Sequence, residues 1–101
     1  MKDINECNNI EEIREAIDEL DREIIALLGR RFQYVKGIVK FKDKNEQSIV
    51  ARERKEAVIR SRRKLAVENG LDPNVIEALY RNLINHFIAE ELKMIREDNE
   101  E

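Results

Sequence analysis

The apolar residues of this chain recur every three or four positions, which is the spacing of residues on one helix face. The first apolar stripe predicts a helix that begins after Asn9 and continues past Lys40, about 34 residues without a proline. Asn9 stands three residues before Glu12, the spacing of a capping box. The stripe itself consists of Ile13, Ile17, Leu20, Ile24, Leu27 and Leu28.

Two shorter helices are predicted behind the first one. The second covers about residues 49–69, and Gly70 follows it at the position where left-handed backbone commonly ends a helix. Asp72 caps the third helix, whose first residue is Pro73. Its stripe runs through Ile76, Leu79, Tyr80, Leu83, Ile84, Phe87, Ile88, Leu92 and Ile95 to an acidic tail at 97–101. The polar stretch 43–48 has no apolar residue and predicts a mobile connection between the first two helices.

The predicted length of the first helix bears on assembly. At 1.5 Å per residue it spans roughly 50 Å, whereas a compact chain of this size has a radius of gyration near 13 Å. A helix that extends beyond its own fold with an apolar stripe needs a partner, and a second copy in a two-fold dimer is the simplest one. We therefore predict a homodimer. A single long monomeric hairpin is the alternative.

Composition narrows the class of protein. The chain has 101 residues, of which 41% are charged and 5% aromatic, and it has one proline. This composition predicts one all-α domain over 1–101, with 1–8 as an N-terminal extension. It has no run of 18 apolar residues and no signal-peptide pattern, so we predict a cytoplasmic protein without a membrane segment. The net charge of −3 argues against nucleic acid as the main partner.

Charged residues interrupt the apolar stripes where leucine or isoleucine is expected. Arg31 and Lys42 share one face of the first helix with Val35. Arg54 continues the stripe of the second helix, and Glu91 lies within the third. Positive side chains that face the interior need anions to balance their charge. Because the cations outnumber the one carboxylate of Glu91, the pattern predicts a small dicarboxylate or phosphate ligand. Each residue also has a structural interpretation, as an ion pair with a core acid or as a lysine that extends from a helix end to solvent.

The chemistry available to these residues is electrostatic. The sequence has no pairing of serine or cysteine with histidine, no glycine-rich phosphate loop and no metal-ligand spacing. We therefore predict neither a metal nor a cofactor, and treat Cys7 as an incidental thiol and His86 as a packing or surface residue. Any reaction at such a site depends on positioning and on fixed charges.

Arg14 stands apart from the other cations. It precedes Arg31 by about 25 Å along the same helix, so the two side chains cannot bind one small ligand from a single straight helix. Arg14 is therefore predicted to serve the pocket of the partner chain. The alternative is a surface arginine paired with Asp18 at the i+4 position.

Seven segments carry a resemblance to a known family: 13–18 (IREAID), 29–31 (GRR), 34–36 (YVK), 41–42 (FK), 53–54 (ER), 68–72 (ENGLD) and 88–91 (IAEE). They resemble the all-helical chorismate mutase family over about residues 4–96, and within it they are most similar to the isochorismate pyruvate lyase branch of salicylate synthesis. It implies an intertwined homodimer of three-helix chains, the chorismate mutase type II fold, with two equivalent pockets for isochorismate or chorismate.

The resemblance also implies which residues bind substrate. Arg14 of one subunit would bind a carboxylate in the pocket of the other subunit. Arg31 and Arg54 would bind carboxylates from within that pocket. Val35 and Ile88 would form its apolar wall.

Two further residues would act on the reacting bonds. Lys42 would reach the ether oxygen and a nearby carboxylate, and the 43–48 connection would order when ligand binds and bring Lys42 into place. Glu91 occupies a position where many family members have glutamine, whose amide donates to the ether oxygen. Only a protonated Glu91 can donate there, so we predict that activity falls as this group ionises.

The residues around Arg54 affect the choice of reaction. Bacterial mutases of the family have acidic residues three positions before and one after this arginine, where they serve the C4 hydroxyl of chorismate. This chain has Ala51 and Lys55 there. That difference favours a lyase acting on isochorismate, whose hydroxyl is at C2, with side chorismate mutase activity. A dedicated chorismate mutase is the second hypothesis.

A third hypothesis belongs to another class, a non-catalytic helical dimer that binds an anionic ligand or nucleic acid. It rests on a basic run in the second helix, made of Arg60, Arg62, Arg63 and Lys64. Acidic residues on the same helix dilute the run, so a solvated face explains it better.

Overall fold

The computed structural model describes the backbone of residues 1–38, 41 and 47–100, and the side chains in these ranges except those of 47–51, 95 and 97–100. A short 3₁₀ turn at Ile4–Glu6 precedes α1 (Ile10–Ile38), α2 (Gln47–Glu68) and α3 (Pro73–Glu100). The described residues contain no strand. The prediction of three helices in an all-α chain is confirmed.

The first compact unit of the chain is Met1–Val35, and its helix begins where the sequence predicts. The backbone N–H of Glu12 donates to Oδ1 of Asn9 at 3.0 Å, and the N–H of Asn8 donates to the carboxylate of Glu12 at 2.9 Å. These bonds satisfy donors that a helix start leaves without partners. The bond from Asn8, together with Lys2 at 3.0 Å, lowers the pKa of the Glu12 carboxyl.

Helix α1 keeps its apolar stripe exposed. Across Ile10–Ile38, all of which the structure describes, no side chain is buried. The predicted continuation of this helix past Lys40 falls on residues 39 and 40, which lie outside the described residues. The large apolar side chains that α1 exposes along the predicted stripe are Ile10, Ile17, Leu20, Ile24 and Leu27.

The second compact unit, Lys36–Glu101, contains a helical hairpin with a tightly bonded turn. The N–H of Leu71 donates to the carbonyl of Ala66 at 2.8 Å and that of Gly70 to Val67 at 3.2 Å. This is a Schellman motif, and Gly70 has the positive φ of 74° that it requires. Glycine is suited here because a Cβ disfavours this backbone region. The predicted end of α2 is confirmed.

The ends of the hairpin helices follow local sequence signals closely. Helix α3 begins at Pro73, and the side chain of Asp72 accepts a hydrogen bond from the N–H of Asn74 at 2.8 Å. Helix α2 begins at Gln47, two residues before its predicted start, because polar residues are common in a first helical turn and do not mark its boundary. Residues 43–46 of the predicted mobile connection lie outside the described residues.

Helices α2 and α3 run antiparallel and share the core of the second unit. Its buried apolar residues are Val58, Ile59 and Ala66 from α2 and Phe87 from α3. The ring of His86 lies edge-on to Phe87 with centroids 5.4 Å apart, in agreement with a packing role for this histidine.

Candidate functional site

Glu91 is the predicted site residue that the structure buries most deeply. It lies on α3 and keeps 9% of its surface exposed, which agrees with its position within the apolar stripe. Ile88 lies one turn earlier on the same helix and is half-buried. A carboxyl group in this setting is costly to desolvate, so its burial needs a structural or a functional reason.

Arg54 is exposed in the single chain, and its predicted inward position is therefore wrong for the chain alone. The face of α2 that packs on α3 carries Val58, Ile59 and Ala66. Arg54 lies about 40° from Val58 around the helix, at the edge of this face. No hydrogen bond or ion pair joins its guanidinium to another described residue.

Helix α1 carries the other described candidates. Arg31 and Val35 are half-buried and lie one turn apart on the same face. Arg14 is exposed, with 62% of its side-chain surface accessible, and it forms an ion pair with Glu11 at 2.9 Å. The alternative pairing with Asp18 is wrong, because Glu11 at i−3 occupies the guanidinium instead. A surface pair of this kind is weak enough to exchange for a stronger partner.

Lys42, the remaining candidate, lies outside the described residues. The candidates that the structure describes are therefore divided between the two compact units. Arg14, Arg31 and Val35 belong to the first unit, and Arg54 belongs to the second with Ile88 and Glu91. Within the second unit, Arg54 is on α2 and the other two are on α3.

A network of four charged residues along the hairpin was missed by sequence reasoning. Arg81 of α3 bonds both carboxylate oxygens of Glu56 on α2, at 3.1 and 3.2 Å, and also donates to Glu77 at 2.8 Å. The other oxygen of Glu77 accepts from Arg63 on α2 at 2.7 Å. The i,i+4 spacing of Glu77 and Arg81 was a visible signal. The bonds across the two helices were not, because they depend on the register of the hairpin.

This charge network affects both acidity and the interpretation of the basic run. Hydrogen bonds from Arg81 are the main cause that lowers the pKa of Glu56 and of Glu77. Arg63 is engaged in the network, and the guanidinium of Arg62 lies over the Tyr80 ring at 5.7 Å. Half of the basic run therefore contacts α3, which argues against a continuous surface for nucleic acid.

Lys55 makes a polar contact between the two helices close to the candidate residues. Its Nζ donates to Oδ1 of Asn85 on α3 at 2.8 Å. Lys55 follows Arg54 directly in sequence, and Asn85 lies three residues before Ile88. In this antiparallel hairpin, Arg54 and Ile88 therefore lie at similar heights along the helix axes, within about two helical turns.

The described residues also bear on metal sites and membrane segments. They contain no group of three or more histidine, cysteine, aspartate or glutamate side chains arranged to hold a metal ion. None of their helices is both long enough and apolar enough to cross a membrane. The cytoplasmic location stays a prediction.

Comparison with known proteins places these residues in context. Residues 13–92 match the family model of chorismate mutase type II. The chain is 42% identical over 97 residues to the isochorismate pyruvate lyase of Pseudomonas aeruginosa, covering 96% of this chain and 95% of that protein. It is 32% identical over 75 residues to the chorismate mutase of Methanocaldococcus jannaschii, covering 74% and 76%. The T-protein of Haemophilus influenzae is 33% identical over 82 residues, which are 81% of this chain but 22% of that protein.

Proposed function

The chain belongs to the chorismate mutase type II family, and from this membership we propose that it is an isochorismate pyruvate lyase with side chorismate mutase activity. One observation carries the choice of reaction, the 42% identity to the Pseudomonas aeruginosa lyase over nearly the full length of both chains. Coverage of this extent includes all three helices and every candidate residue. The substrate is isochorismate, and the products are salicylate and pyruvate.

The proposed reaction needs no covalent intermediate. The hydrogen at C2 of isochorismate moves to the methylene carbon of the enolpyruvyl group while the ether C–O bond breaks. The ether oxygen becomes the keto oxygen of pyruvate, and the ring electrons close into the aromatic system of salicylate. Negative charge grows on the ether oxygen in the transition state, so fixed donors and cations lower the barrier.

The arginines bind the two carboxylates under this proposal. Arg31 and Arg54 each hold one carboxylate group of the substrate, and Val35 and Ile88 contact its apolar ring face. The guanidinium of Arg54 supports this role because it is exposed and pairs with no other described residue. Arginine suits the task because its planar fork bonds both oxygens of a carboxylate.

Lys42 and Glu91 act on the ether oxygen. Lys42 supplies a positive charge, and Glu91 donates a hydrogen bond when it is protonated. The burial of Glu91 supports this role, because a buried carboxyl group is a stronger donor toward a growing negative charge than one in water. An ionised Glu91 would instead repel that charge.

A homodimer with shared active sites is part of the proposal. The exposed apolar stripe of α1 supports it, because an uncovered stripe of this length is uncommon on a stable monomer. Arg14 then binds a carboxylate in the pocket of the second subunit. Its weak surface pair with Glu11 leaves it able to do so.

The residues beside Arg54 support the lyase over the mutase. Lys55 and Ala51 stand where the bacterial mutases have acidic residues for the C4 hydroxyl of chorismate. Because position 55 holds a lysine, it offers the substrate no carboxylate. The ammonium of Lys55 donates to Asn85 instead. Isochorismate has its hydroxyl at C2 and does not need one there.

Chorismate mutase is the second candidate function. It is favoured by the match to the family model and by the 32% identity to the Methanocaldococcus jannaschii mutase. Both reactions are pericyclic and break the same type of ether bond, so one pocket can support both.

A parallel assay of the purified protein tests the proposal. Isochorismate and chorismate are supplied separately, salicylate is followed by fluorescence and prephenate by its conversion to phenylpyruvate. We expect kcat/KM to be higher for isochorismate. A higher value for chorismate makes the protein a mutase, and no turnover of either compound leaves a non-catalytic role.

A further inference from the structure

The polar contacts between α2 and α3 differ along the length of the hairpin. Near the turn, Arg63 bonds Asn74 at 3.0 Å as well as Glu77 at 2.7 Å. Farther from the turn, Arg81 holds Glu56. Among the described residues, the contact farthest from the turn is the hydrogen bond between Lys55 and Asn85.

Arg54 lies immediately beyond this last contact. The described side chains that precede Lys55 on α2, those of residues 52–54, make no polar contact with the described part of α3. The bond between Lys55 and Asn85 is therefore the polar restraint nearest to Arg54. It limits both the rotation of α2 about its axis and its height along α3.

We propose that Lys55 and Asn85 are positioning residues that together set the place of Arg54 in the active site. The inference rests on the proposed function, since it assumes that Arg54 binds a carboxylate of the substrate. Lys55 and Asn85 touch each other across the hairpin and act through the backbone of α2.

The geometry of a helix makes this restraint effective. A side chain that ends roughly 6 Å from the helix axis moves by about 1 Å when the helix rotates by about 10°. Errors of that size reduce the rate of an enzyme by up to about 100-fold when they misplace a group that orients the substrate. When an arginine holds a substrate carboxylate equally in the ground state and the transition state, weakening that interaction raises mainly KM.

Asn74 offers a matched control for Asn85. Both are exposed asparagines of α3, and each accepts a hydrogen bond through Oδ1 from a cation of α2. One lies at the turn and the other lies beside the candidate site. Asn85→Ala and Asn74→Ala therefore remove comparable contacts at opposite ends of the hairpin.

The experiment measures KM, kcat and the thermal midpoint of full-length protein with isochorismate as substrate. We expect Asn85→Ala to raise KM about 10-fold with kcat changed less than about twofold, and Asn74→Ala to change either value by less than about twofold. Asn85→Asp keeps an oxygen acceptor and restores KM. Adding Asn85→Ala to Lys55→Met causes no further rise in KM, because both changes remove one bond.

The alternative outcomes are distinct. Equal KM values for Asn85→Ala and Asn74→Ala, or a failure of Asn85→Asp to restore KM, would show a merely structural bond and overturn the inference. A wild-type protein that turns over neither isochorismate nor chorismate would overturn the proposed function first. An active wild type with an unchanged Asn85→Ala variant overturns the inference alone.

Discussion

The hairpin of α2 and α3 differs from helix α1 in how far its apolar side chains are buried. The hairpin buries Val58, Ile59 and Phe87 between its own helices and closes one side with the charge network. Helix α1 has no buried side chain, although its apolar stripe is as regular as any in the chain. The comparison teaches that regular amphipathic spacing shows that a face needs a partner, but not whether that partner is in the same chain.

The largest expected effect comes from placing a charge on the α1 stripe. Ile24→Glu puts a carboxylate where we propose that the second subunit packs, and a desolvated charge there prevents association. Activity falls by about 100-fold or more, because a monomer has no complete pocket. Sedimentation and kcat/KM measure the two effects.

Ile25 supplies the control for that substitution. It is also exposed, at 69% against 52% for Ile24, but lies about 100° away around the helix, off the stripe. Ile25→Glu leaves a dimer with nearly normal activity. An equal loss of dimer and of kcat/KM in the two variants would argue against an interface confined to the stripe.

Subunit mixing tests whether α1 contributes to two pockets. Arg14→Ala and Arg31→Ala homodimers are each inactive under the proposal, since every pocket lacks one arginine. A heterodimer carries both lesions in one pocket and keeps the other intact, so it recovers up to about half the activity of the wild-type dimer. The heterodimers are isolated with two affinity tags. If they are as inactive as the parent homodimers, the assignment of Arg14 to the partner's pocket is refuted.

The next effect is expected at Glu91, the one charged residue that the hairpin buries among its described core residues. Glu91→Gln keeps a hydrogen-bond donor for the ether oxygen and retains kcat, whereas Glu91→Ala removes the group and lowers kcat by about 100-fold. Equal kcat values for the two variants would argue against a donor at this position.

The smallest effect concerns the charge network. Hydrogen bonds from Arg81 lower the pKa of Glu56 and Glu77 in the folded state. Their stabilisation is therefore present above the pKa of an unfolded glutamate, near 4.3, and is lost as pH falls through the lower folded values. Glu77→Gln lowers the thermal midpoint by a few degrees at pH 7 and by less near pH 3.

Glu53 is the control for the network. It lies on α2 with an exposed side chain and makes no polar contact with another described residue. Glu53→Gln leaves the thermal midpoint unchanged at either pH. If Glu53→Gln lowers the thermal midpoint as much as Glu77→Gln does, the effect comes from net charge in general and not from the network.

Three helix ends were determined by the sequence itself. Asn9 and Asp72 cap the helices that follow them, and Gly70 ends α2 with a positive φ, as predicted. These signals are local because each depends on the bonding of a side chain or backbone within a few residues. The family resemblance was also carried by the sequence, through segments distributed over all three helices.

Only the tertiary structure decided which faces of the helices meet. Helix α2 has few apolar residues, so their spacing did not show that Val58 is buried while Arg54, one turn away, is exposed. The hairpin register then decided that Arg63 of the basic run pairs with Glu77. Neither result could be predicted, because both depend on residues far apart in sequence whose distances are set by packing and not by helical periodicity.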